Sequence, residues 1–122
     1  MSISTAESRV MEALWRRSPL TAEEIVAEVA GPYGWSEATV KSLINRLLTK
    51  GAIAAEKAGR RYLYRPCVDR LAYLSHESRG LLDRLFGGRI APLVSHFSQT
   101  DQLSAEDIAE LKRLIAELDD DR

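Results

Sequence analysis

From Ser36 to Lys50 the apolar residues Val40, Leu43, Ile44, Leu47 and Leu48 recur at i, i+3, i+4, i+7 and i+8, and this spacing predicts a helix buried along one stripe. The opposite face carries Ala38, Ser42, Asn45 and Thr49, flanked by Thr39, Lys41 and Arg46: short or hydrogen-bonding side chains with cations at the margins. Ser36 supplies an N-cap oxygen, and Gly51 a stop behind Lys50. Directly after it, residues 52–56 and 61–65 read as two strands joined by the tight turn Lys57-Ala58-Gly59-Arg60, with Pro66 ending the second. Tyr62 and Tyr64 alternate with Leu63, which gives that strand two unlike faces.

Upstream, Ser4-Thr5-Ala6-Glu7 and Thr21-Ala22-Glu23-Glu24 each place a hydroxyl three residues before a Glu, the capping-box spacing, and each predicts a helix start. The first helix is expected to run to about Arg16 with Val10, Met11, Leu14 and Trp15 inward. The second is expected from Ala22 to about Ala30 with Ile25, Val26 and Val29 inward, ended by Gly31-Pro32. Three helices followed by a hairpin is the order of a winged helix-turn-helix, in which the second helix braces the third against a DNA groove. Trp15 and Trp35 read as packing residues rather than base-stacking ones.

Beyond Pro66, Leu71, Leu74, Leu81, Leu82, Leu85 and Phe86 form a looser helical stripe that breaks at Gly87-Gly88. Ile90, Leu93, Val94 and Phe97 then repeat at helical spacing in a short helix that tolerates Pro92 in its first turn. After a polar loop at 98–102, Ser104 caps a last helix with Ile108, Leu111, Leu114, Ile115 and Leu118 on one side. Three helices of about 50 residues in all make a marginal core by themselves. Burying Leu81, Leu82, Leu85, Phe86, Ile90, Leu93, Val94 and the last helix's stripe against a second copy would solve this; folding back as a monomer is the alternative. The expected fold class is mainly α with a small β-hairpin wing: an N-terminal winged helix-turn-helix over 1–67, then a C-terminal helical dimerisation region over 68–122.

Charge sharpens this picture. The chain of 122 residues carries a net charge of only −1, which taken alone argues against a nucleic-acid partner. Residues 1–66, however, hold 10 Lys and Arg against 7 Asp and Glu, net +3, while residues 67–122 hold 7 against 11, net −4. Within 36–65 seven cations face two carboxylates, net +5. A basic half that binds DNA and an acidic half kept off it account for the split. Asn45 can pair with an adenine edge, and Arg46 or Lys41 can reach guanine or phosphate. Ser36, Thr39, Ser42 and Lys50 complete the candidate helix contacts, and Arg60, Arg61 and Arg65 are the candidate wing contacts to the backbone. The bland alternative for helix or hairpin alone is a merely solvated face; their adjacency favours DNA.

Composition excludes other classes. A lone Cys67 leaves no internal disulfide and no multi-cysteine metal site, and two His residues 20 apart make a metal site unexpected. Neither a signal peptide nor a long apolar run is visible, so a cytoplasmic protein without membrane insertion is expected. Cys67 with His76 or His96 could be imagined as a nucleophile pair, but no orienting group is recognisable; no enzymatic activity and no cofactor are expected.

The run from Trp35 to Leu47, followed by Lys50-Gly51, resembles the recognition-helix signature of the BlaI/MecI/CopY penicillinase-repressor family. Glu7 to Trp15 resembles that family's first helix, Leu20 to Ile25 its second, and Leu85-Phe86-Gly87-Gly88 its C-terminal region. The resemblance implies a homodimeric winged-helix repressor on palindromic operators of β-lactamase or related genes. It also implies derepression when a membrane-bound sensor metalloprotease signals cleavage in the dimerisation region. The family's scissile bond joins Asn to Phe; the matching bond here is His96–Phe97, where Phe97 agrees and His96 departs. A structural reading, with Phe97 in a core and His96 at the surface, stands beside cleavage. The cysteine cluster of copper-sensing members is missing. A winged helix that meets an acidic protein partner instead of specific DNA is the remaining alternative.

Overall fold

The computed structural model describes residues 2–120. Its backbone divides into two units, Met1–Leu74 and Ser75–Arg122.

In the first unit, α1 (Thr5–Arg16) and α2 (Ala22–Tyr33) both open with complete capping boxes, Ser4 with Glu7 and Thr21 with Glu24. Each hydroxyl accepts the N3 backbone N–H while the Glu accepts the cap's own N–H, so two otherwise orphaned donors are satisfied at each start. Helix α2 continues three residues past its expected end, through Pro32 to Tyr33. A proline so close to the C-terminus sacrifices little of the hydrogen-bond ladder, and Gly31 before it has no Cβ to clash with the ring. Gly34 then stops the helix at φ 66°.

Helix α3 (Glu37–Lys50) starts at the Ser36 cap and ends at Gly51, φ 77°. Val40, Leu43, Ile44 and Leu47 are buried as expected, together with Val10, Met11, Leu14, Leu20, Ile25 and Val29 from the elements they pack on. A Cβ at Gly51 would meet nothing within 4 Å, so its left-handed backbone is the whole reason for glycine there. Gly51→Ala should therefore cost about 1 kcal/mol of stability, read from a shifted urea midpoint at unchanged m-value.

Strands β1 (Ile53–Ala58) and β2 (Arg61–Pro66) pair antiparallel, from Ile53 opposite Pro66 to Ala58 opposite Arg61. The hairpin is tighter than expected. Lys57 and Ala58 belong to the strand, Gly59-Arg60 alone form the loop, and Gly59 at φ 65° takes the first position of a II′-like turn that suits the strand twist. Leu20 adds a one-residue third strand, exchanging two backbone hydrogen bonds with Tyr64 at 2.7 and 3.0 Å, which ties the wing to the entry of α2. The first unit reaches past residue 67 because Trp15 donates from Nε1 to the Val68 carbonyl at 2.8 Å and its ring meets that of Tyr73 at 5.4 Å.

Helix α4 (Arg70–Leu85) leads into the second unit, followed by α5 (Ile90–Gln99) and α6 (Ala105–Asp120). Gly87 and Gly88, both at positive φ, make the break between α4 and α5. Helix α5 extends over Ser98 and Gln99, which had been expected in a loop; the Thr100 hydroxyl bonds back to the His96 carbonyl and closes the last turn. Ser104 caps α6 and trades hydrogen bonds with Asp107. Among the described residues of these three helices Leu82 alone is buried. Phe86, Leu93, Val94 and Leu111 are half-buried, while Leu81, Leu85, Ile90, Phe97, Ile108, Leu114, Ile115 and Leu118 are exposed. No described helix is long and apolar enough to cross a membrane.

Candidate nucleic-acid interface

The buried stripe of α3 determines what its other side presents. With Val40, Leu43, Ile44 and Leu47 in the core, the side chains of Ala38, Thr39, Lys41, Ser42, Asn45, Arg46 and Thr49 all stand in solvent. Three hydroxyls at this helix are already engaged: Ser36 Oγ accepts from the Thr39 backbone at 3.1 Å and lies 3.0 Å from Thr39 Oγ1, and Thr49 donates to the Asn45 carbonyl at 3.0 Å. The side chains of Ser42, Asn45 and Arg46 have no hydrogen-bond or ion-pair partner among the described residues, so their polar atoms are available to a ligand.

The cations differ in the same way. Lys41 pairs with Glu37 one turn earlier at 2.9 Å, and that hydrogen bond, with the charges of Glu37 and Glu23, raises its pKa. Arg65 pairs with Glu56 across the hairpin at 2.9 Å. Both are exposed pairs, weakened by water and salt, that exchange readily for another anion. Arg61 lies within the electrostatic reach of Glu24. Arg60 at the turn and Lys57 one position before Ala58 have no partner among the described residues. Lys50, the last of the candidate helix contacts, faces the protein itself: its Nζ lies 2.5 Å from Glu7 Oε1 and 2.9 Å from the Ser2 carbonyl.

Helix and wing meet on one side. A cleft of about 250 Å³ is lined by Ala22 and Glu23 of α2, Lys41, Ile44 and Asn45 of α3, and Tyr64 of β2. By register Tyr64 shares its sheet face with Ala55, Lys57 and Tyr62, so the face that borders Asn45 continues outward into a cation and an exposed phenol. Lys57 was missed as a candidate because it was placed in the turn rather than in the strand opposite Tyr62, and Tyr62, although read on the Tyr64 face, was not counted as a contact.

His96 and Phe97 lie within the last turns of α5, and both are exposed. Cys67 is free and exposed, and no group of three or more metal-binding side chains is assembled among the described residues.

Among the described residues of the first unit, Glu7 is the one charged side chain that is buried, at 1% exposure. Burial by itself would raise its pKa, but the hydrogen bond from Lys50, those from Ser4 and the Lys50 charge outweigh it and hold the carboxyl below its ordinary 4.5. A depressed carboxylate stabilises the fold above its unfolded pKa, and that contribution is lost as pH falls through the folded one. Acid unfolding should therefore steepen below about pH 4.5, and Glu7→Gln should flatten that limb in melts taken between neutral pH and pH 3.

Residues 3–117 match the family model described as Penicillinase repressor. Among individual proteins, the penicillinase repressor of Bacillus licheniformis is 35% identical over 94% of this chain and 90% of its own length. The methicillin resistance regulatory protein MecI of Staphylococcus aureus (strain N315) is 29% identical over 93% and 92% respectively. The solution structure of monomeric Bacillus licheniformis BlaI in complex with the blaP half-operator superposes with a TM-score of 0.54 at 34% identity, covering 60% of this chain and 89% of that one. A winged helix-turn-helix with a polar solvent face on its third helix, matched by this model over residues 3–117, the chain belongs to the penicillinase-repressor family.

Proposed function

We propose that the chain is a transcriptional repressor that binds palindromic operator DNA as a homodimer, controlling β-lactamase or related genes in the cytoplasm. The observation that carries this reading is the unpaired Ser42, Asn45 and Arg46 set on the solvent face of α3, on a domain like the one that meets a half-operator in BlaI. Ser42, Asn45 and Arg46, with Thr39 and Lys41, would read base edges. Arg60, Arg61 and Arg65 would lie along phosphates, with Lys57 beside them, and Ser36 would hold the start of α3. Residues 1–67 would bind DNA, and the apolar faces of 68–122 would close the dimer, since a two-fold assembly places two reading heads on two half-sites. Occupancy of the operator would block polymerase. Derepression would follow cleavage near His96–Phe97 on a signal from a membrane-bound sensor metalloprotease, which requires α5 to unwind locally first.

Fluorescence anisotropy against the chain's own upstream promoter and a scrambled duplex, at two salt concentrations, tests the reading. Promoter-selective binding with two chains per site is expected; equal, salt-abolished binding to both duplexes would overturn it. Asn45→Ala should cost about 1–3 kcal/mol of discrimination at one base pair of each half-site. Arg60→Ala should instead weaken both duplexes alike and reduce the salt slope by about 0.9 per head.

A further inference from the structure

We propose that Glu7 is a positioning residue for DNA reading, acting through Lys50 to fix where the C-terminal end of α3 stands against the start of α1. The assignment rests on the reading of α3 as the recognition helix. The molecule contains its own control for the alternative that Glu7 merely caps a helix. Glu24 plays the same capping-box part at α2, yet its side chain is 46% exposed and its nearest cation, Arg17, is 3.6 Å away. Capping therefore does not require burial. Glu7, in contrast, is 1% exposed, and its Oε1 receives both the Ser4 backbone N–H at 2.7 Å and Lys50 Nζ at 2.5 Å.

The partner is 43 residues away in sequence and occupies the last position of α3. Lys50 spends a second hydrogen bond on the Ser2 carbonyl, so one ammonium holds both the chain's entry to α1 and the capping Glu. A buried carboxylate tolerates little displacement of its counter-ion, whereas one residue of helical slip moves a side chain by about 1.5 Å along the axis. Together with the buried stripe of α3, the pair therefore favours one axial placement of that helix. Base readout depends on that placement, because donors and acceptors must meet base edges; attraction to phosphates depends on it far less.

The experiment uses the full chain, with operator and scrambled duplexes titrated across salt at a temperature well below each variant's melting point. Glu7→Gln keeps the capping geometry and removes the charge; Lys50→Gln removes the other partner; Lys50→Arg preserves the cation. Expected are a loss of operator preference of roughly tenfold, comparable to weakening one bidentate base contact, in each Gln variant, and no further loss when the two are combined. Binding to scrambled DNA and the salt slope should stay as in the wild type, and Lys50→Arg should retain the preference. If Lys50→Gln instead lowers the salt slope by about 0.9 on both duplexes while Glu7→Gln does not, Lys50 is a phosphate contact and the proposal fails. Lower melting temperatures with operator preference intact would also overturn it, leaving the pair purely structural. Wild-type protein without operator preference would overturn the DNA-reading assignment itself, and this one with it.

Discussion

Leu47→Ala should lower the unfolding free energy by about 2–5 kcal/mol while leaving every side chain on the reading face of α3 where it is. Leu47 is fully buried on the back of the helix, inside the cluster that joins α1, α2, α3 and the start of β1. Removing its branched end deletes apolar contacts and leaves a cavity that this well-packed cluster cannot fill without moving a helix. Because small domains have only about 5–15 kcal/mol of stability in total, the variant should melt markedly earlier in urea at a similar m-value. Ser42, Asn45 and Arg46 point the other way. Well below the new midpoint, operator affinity per folded molecule should consequently stay close to wild type. A fall in affinity that tracks the loss of stability would mean that α3 is not held as a rigid body by its buried stripe.

That separation between a buried and a reading face was legible in the sequence because both are local, periodic properties of one helix. The same holds for the two capping boxes, the Ser36 cap and the Gly51 stop, each set by two to four neighbouring residues. The discrepancies fall where competing local rules are finely balanced. Gly31-Pro32 is a valid stop signal, but Gly31 relieves the very clash that makes it one, so α2 runs on to Tyr33. Lys57 and Ala58 suit a four-residue turn as well as a strand, and strand pairing opposite Tyr62 and Arg61 decided for the strand.

The role of Lys50 was beyond reach for a different reason. In sequence it is one more cation in the last turn of a helix, where it complements the dipole or reaches a phosphate. Only the packing of α1 on α3 brings it to Glu7, and a capping Glu carries no local mark of being buried. Long-range electrostatic pairs of this kind are a tertiary property. The charge count over 36–65, net +5 on paper, overstates the free cation by the same pair: it already subtracts Glu37 and Glu56, the partners of Lys41 and Arg65, but not Glu7, which lies outside the segment and takes up Lys50.

Ile115→Glu combined with Leu118→Glu should convert the dimer we propose into monomers and weaken operator binding by a factor on the order of 10²–10⁴. The two residues sit one turn apart on α6 and are 56% and 64% exposed, so glutamates there meet water in the isolated chain and cost its folding little. In an interface formed by that face the same charges would be buried without partners, a penalty of several kcal/mol across a two-fold axis that counts each substitution twice. The effect on DNA follows from linkage. Two heads held in one assembly bind the second half-site at a high effective concentration, whereas separate heads bind each half-site independently. Sedimentation equilibrium should give the mass of a single chain, with the melting of the first unit unchanged and half-site affinity preserved. A variant that remains dimeric would place the interface on the exposed apolar residues of α4 and α5 instead, Leu81, Leu85 and Ile90. A monomeric variant that still bound the full operator as tightly as wild type would show that each head reads its DNA without help from a second copy.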